Sequence, residues 1–178
     1  MIRKRGRESP LLFLAMNFEE VKHKITEWLN PILTEKDFFF VDIKISAGKR
    51  IELYVDADHG IHIEDCAFLS RQLEKNLDES GIVPENYVLE VSSPGMSNPL
   101  KVYRQYLRRI GRMLEVVKTN GERIEGKLLK ADENGFVLQE IIVEKKKKKK
   151  EPTEAPIAPK EHYLLYSDTK KVVLQFTF

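Results

Sequence analysis

The hydrophobic pattern changes its period for good at one place, and that change divides the chain. From Asn17 to Ser92 helical and strand spacings alternate, whereas beyond Gly111 strand spacing alone remains. In the first part Val21, Ile25, Trp28, Leu29 and Ile32 recur at helical spacing, which predicts an amphipathic helix ending near Pro31. Phe39, Val41, Ile43 and Ile45 then alternate with Asp42, Lys44 and Ser46. Ile51, Leu53 and Val55 repeat the alternation after a turn at Gly48, so the pair reads as a β-hairpin with one wet face. Cys66, Leu69, Ser70, Leu73 and Leu77 form a second helical stripe stopped by Gly81, and NYVLEVS is a third strand. The order helix, strand, strand, helix, strand predicts a two-layer α-β-β-α-β domain over residues 17–99.

Leu100, Tyr103, Leu107 and Ile110 are spaced as a short linking helix. MLEVVKT and RIEGKLLKAD then flank Asn120-Gly121, a strong hairpin signal, and NGFVLQEIIV supplies a further strand. Gly126 inside its strand predicts a sharp bend, as closure of a small barrel needs. EKKKKKKEPTEAPIAPKE holds almost nothing apolar, so residues 145–160 read as a disordered loop. HYLLY and KKVVLQFTF resume as strands, and the loop therefore interrupts one domain at 100–178.

The chain has 178 residues, 42% of them apolar, enough for one ordinary domain or two small ones. Lys+Arg 30 against Asp+Glu 28 leaves a formal charge of +2, so any basic surface must be local. One cysteine excludes an internal disulfide and any multi-cysteine metal cluster, and it fits a reducing cytoplasm. Residues 1–16 have a basic start and a short apolar patch, but Glu8 and Pro10 spoil a secretion signal, and a disordered tail is expected. Met16 is an alternative start: Asn17 suits an N-cap, Glu20 a capping-box partner, and Met16 with Val21 a hydrophobic staple. No apolar run reaches the ~20 residues of a membrane-spanning helix.

LEVSSPGMSNPL, Leu89 to Leu100, raises the question of chemistry. A serine nucleophile at Ser92 or Ser93 needs a histidine and a carboxylate, and the chain has His23, His59, His62 and His162 to offer. No G-x-S-x-G elbow is present. The preferred reading is a corner, in which Pro94 and Gly95 turn the chain out of its sheet and the serine hydroxyls serve local backbone groups. DADHGIHIED looks like a calcium loop, but its glycine comes one place early and Ala67 stands where a bidentate glutamate is needed. A solvated turn feeding a helix, with Glu64 and Asp65 complementing its dipole, explains it better. Cys66 reads as a small buried residue.

DADHGIHIEDCAFLSRQLEKNLD, followed by YVLEVSSPGMSNPL and a five-strand tail, resembles the ribosome maturation factor RimP family over Asn17 to Phe178. The resemblance implies an α+β protein: the N-terminal domain, then a C-terminal small all-β barrel of Sm/SH3 type. It implies a non-catalytic assembly factor that binds the immature small ribosomal subunit through a ribosomal protein and rRNA, without cofactor or metal, as a cytoplasmic monomer. Ser92, Ser93, Pro94, Gly95, Pro99 and Leu100 are then candidates for a hinge and a partner contact. Lys101, Arg104, Arg108, Arg109 and Arg112, interleaved with aromatic residues, are candidates for rRNA contact, as are Lys127 and Lys130. Met96, Ser97 and Asn98 stand where the family's commoner corner has leucine, aspartate and arginine. The run Lys145 to Lys150 is an elaboration that suits a nonspecific tether to rRNA or a solubilising loop. A general RNA-binding module of KH-like or Sm-like type is the alternative, though the G-x-x-G clamp of a KH domain is missing.

Overall fold

The first helix does not stop at its proline. In the computed structural model, which describes residues 18–46, 49–140 and 160–175, α1 runs from Phe18 to Lys36 with Pro31 inside it. Proline removes one intrahelical hydrogen bond at a cost of about 3 kcal/mol. Beyond it Leu33 is buried, and burying a leucine contributes ~1.5–3 kcal/mol, so the extra turn is held by the core it reaches. The chain leaves the helix at Asp37, whose φ is +56°. The tail before Met16, the Asn17 cap, the Met16 staple, the Gly48 turn and the lysine loop all lie outside the described residues.

The chain divides into two units, Met1–Pro94 and Gly95–Phe178. In the first, strands β1 (Phe38–Ile45), β2 (Arg50–Ala57) and β3 (Val88–Ser92) form a sheet in the order β1-β2-β3. β1 and β2 are antiparallel and β2 and β3 parallel, with α2 (Ile63–Ser80) as the crossover. Cys66, Leu69, Leu73 and Leu77 are its buried stripe, and Gly81 caps it in the left-handed conformation at φ +64°, its N–H donating to the Leu77 carbonyl. Both helices and all three strands contribute to one core.

The expected alternation of β1 is broken once. The register passes from Phe40↔Val55 to Asp42↔Tyr54, leaving Val41 as the extra residue of a bulge. Phe38, Phe40, Ile43 and Ile45 therefore share the helix-covered core, while Phe39 and Val41, expected to share a face with Ile43 and Ile45, are buried without belonging to that core.

In the second unit a short helix α3 (Tyr103–Leu107) precedes five strands: β4 (Met113–Lys118), β5 (Arg123–Ala131), β6 (Gly135–Glu140), β7 (Glu161–Leu165) and β8 (Thr169–Leu174). Their order is β7-β6-β5-β4-β8, antiparallel throughout. Among the described residues the ladder is an open sheet with β7 and β8 at its edges, and no pairing between those edges is seen that would make it the small barrel of Sm/SH3 type expected from the resemblance. A Cβ on Gly126 would run into the Gln139 carbonyl, which means that β6 crosses β5 closely there. Leu114, Val116, Ile124, Leu128, Phe136, Leu138, Leu164 and Val172 line the inner face.

Candidate nucleic-acid interface

Each part of the Leu89–Leu100 corner has a different environment. Ser92 closes β3 beside Tyr54 of β2, on the face of the sheet away from the helices; Tyr54 also holds the Lys44 ammonium 5.1 Å from its ring centroid. Ser93 is exposed, and its backbone N–H donates to the Cys66 thiol. Burial and then Asp65 push that thiol above its ordinary value, away from reactivity. Among the described residues no histidine hydrogen-bonds to the Ser92 or Ser93 hydroxyl, and His162 instead meets Glu140 at 2.7 Å. Pro94 is buried, Gly95 is exposed with φ +69°, and Pro99 is half-buried. Leu100 belongs to the core of the second unit, its N–H donating to the Val172 carbonyl at 2.8 Å.

The linking helix presents a different face from the one its spacing suggested. Tyr103, Leu107 and Ile110 are exposed, and the buried residues are Gln105 and Tyr106. Tyr106 packs its ring, tilted, against Phe136 and Tyr166, with ring centroids 5.0 Å and 4.9 Å away, and this aromatic cluster fixes which side turns inward. Gln105 is tolerated there because its Oε1 accepts the N–H groups of Lys101 at 2.8 Å and Val102 at 3.3 Å, capping the helix start.

The seven candidate cations separate into two kinds. Lys101, Arg104, Arg108 and Arg109 each interact within the chain, and Arg109 buries its Nε. Arg112, Lys127 and Lys130 are exposed and have no protein partner among the described residues. Arg112 adjoins the middle of β5, its carbonyl accepting the Leu128 N–H at 2.9 Å. Lys127 pairs with Gln139, and Lys130 with Val137, one register step beyond Leu128↔Leu138, because Leu129 is bulged out. Both lysines thus stand on the outer face of the sheet, opposite the core.

One residue of that face was not among the sequence candidates. Tyr163 of β7 pairs with Val137 and is 55% exposed, so it lies on the same row as Lys130. Its strand alternation with buried Leu164 carried this signal, but nothing in the sequence told which neighbours it would have.

Comparison with known proteins covers most of the chain. A sequence model of the RimP N-terminal domain matches residues 28–97. A protein of Christiangramia forsetii named Ribosome maturation factor RimP is 33% identical over 159 residues, 89% of this chain and 99% of that protein. Proteins of the same name from Cytophaga hutchinsonii and Flavobacterium psychrophilum are 34% and 35% identical, covering 87% and 66% of this chain and 96% and 75% of their own lengths. Among the described residues no helix is long and apolar enough to cross a membrane. At this identity, over nearly the full length of a relative, the chain belongs to the ribosome maturation factor RimP family.

Proposed function

We propose that the chain is a non-catalytic, cytoplasmic assembly factor that binds the immature small ribosomal subunit as a monomer and assists its maturation. The observation that carries this reading is the family membership across both units, since the C. forsetii relative is matched over 99% of its length. The exposed part of the corner, Ser93 and Gly95 with half-buried Ser92 and Pro99, serves as hinge and contact for a ribosomal protein. The basic residues of the second unit meet rRNA, and Arg112, Lys127 and Lys130 suit this best because among the described residues no carboxylate has to be displaced from them.

Sedimentation of cell extract tests the reading. The protein should run with free small subunits and be absent from translating ribosomes. Even distribution over free RNA and all ribosomal fractions would replace it with a general RNA-binding module. Neutralising Arg104, Arg108 and Arg109 should weaken subunit binding moderately, and reversing Lys145 to Lys150 to glutamate should weaken it at low salt only.

A further inference from the structure

The outer face of β5, β6 and β7 has a composition that a merely solvated sheet face does not require. Lys130, Val137 and Tyr163 form one cross-strand row, and Leu165, two residues after Tyr163 on the same face, is 40% exposed. Lys127 and Gln139 form the adjoining row. An exposed aromatic ring flanked by aliphatic side chains and by cations without a partner among the described residues fits a nucleobase with its backbone phosphates, since the ring offers a stacking surface and the ammonium groups neutralise charge.

The acidic groups nearby limit where such a strand can run. The Asp132 carboxylate is occupied by its own turn, accepting the N–H groups of Asn134 at 2.8 Å and Gly135 at 3.0 Å, with the Tyr163 hydroxyl at 3.5 Å. Glu161 ends the Lys127–Gln139 row, and Glu125, two residues before Lys127 on the same face, pairs with Glu115; a phosphate placed over either carboxylate would be repelled. The favourable track therefore leads from Tyr163 across Lys130 toward Lys127.

We propose that this face binds single-stranded RNA, with Tyr163 stacking on a base and Lys130 and Lys127 meeting phosphates. The inference rests on the rRNA-contact reading above and names the residues and the kind of RNA. The test uses the full chain and a short unstructured oligoribonucleotide of mixed sequence in a salt series. Tyr163→Ala should weaken binding about tenfold and Tyr163→Phe should leave it nearly unchanged, because stacking needs the ring and not the hydroxyl. Lys127→Gln with Lys130→Gln should flatten the salt dependence by ~0.7 for each phosphate that is no longer neutralised. Glu161→Gln should tighten binding. Circular dichroism guards against misfolding, and Tyr163→Ser gives a second truncation at the same exposed place. No oligonucleotide binding by the unmodified chain, or binding by both Tyr163 truncations as tight as that of the unmodified chain, overturns the proposal. The same variants run on small subunits separate the two readings. Subunit binding indifferent to Tyr163 would sink this face and leave the assembly role, whereas Tyr163-dependent RNA binding without any subunit binding would do the reverse.

Discussion

Lys127 and Lys130 stand on the same face of β5, although they are three residues apart, because Leu129 is the extra residue of a bulge. In a regular strand residues at i and i+3 point to opposite faces. The pairs Leu128↔Leu138 and Lys130↔Val137 are consecutive in the ladder, so the alternation resumes one residue late and carries Lys130 to the outer side. Two lysines on the face that also carries Tyr163 are the result.

Gly126 allows the close crossing of β5 and β6. Gly126→Ala would drive a methyl group into the Gln139 carbonyl and cost on the order of 3 kcal/mol, since backbone has to move. The melting transition of the second unit should fall by about 10 °C or more. Trp28, the chain's single tryptophan and part of the first unit's core, should report an unchanged first unit by fluorescence. A variant with unaltered melting would mean that the strands separate there without cost.

Gln105 is 2% exposed and accepts two backbone N–H groups at the start of α3. Gln105→Ala leaves the Lys101 and Val102 donors without their acceptor and should cost ~1–3 kcal/mol. Amide exchange at these two residues should accelerate more than at Leu114. Equal acceleration at both places would assign the loss to global unfolding and not to the cap.

Gly95 has φ +69°, and an added Cβ would meet nothing within 4 Å, so conformation and not space restricts the position. Gly95→Val should cost about 1–2 kcal/mol, and Gly95→Asn much less, because asparagine enters the left-handed region readily. If the corner contacts the partner, small-subunit sedimentation should weaken for Val and persist for Asn. Identical losses for both would point to the missing glycine surface instead of the backbone angle.

Tyr166 donates its hydroxyl to the Asp132 carbonyl at 2.8 Å, and burial, followed by the Asp132 charge, pushes its phenol from 10.0 up to about 12. The folded state thus favours the protonated phenol. Its contribution to stability is fully present below about pH 10 and is lost as pH rises toward 12. The urea midpoint of the second unit should fall across this window, and Tyr166→Phe should make the fall shallower while lowering the neutral-pH value. A pH profile identical in both proteins would place the alkaline loss elsewhere, in Tyr106 first, whose phenol burial also raises.

The sequence by itself determined what depends on neighbours along the chain. The stripe Cys66, Leu69, Leu73 and Leu77, its stop at Gly81, and the Asn120-Gly121 hairpin follow from spacing and from glycine's access to positive φ, here +64° at Gly81 and +87° at Gly121. The string LEVSSPG and the surrounding order of elements carried the family, which comparison over 89% of the chain then established. Tertiary structure decided what depends on groups brought from far away. Helix α1 continues past Pro31 because Leu33 finds a core, and α3 turns Tyr106 inward because Phe136 and Tyr166 wait there. The bulges at Val41 and Leu129 reassign the faces of β1 and β5, and that choice is made by pairing with β2 and β6. A one-residue bulge leaves no local mark, since its small backbone cost is offset by side chains that become neighbours only in the folded sheet. For that reason Lys127 and Lys130 were legible as basic residues, but the face they share with Tyr163 was not.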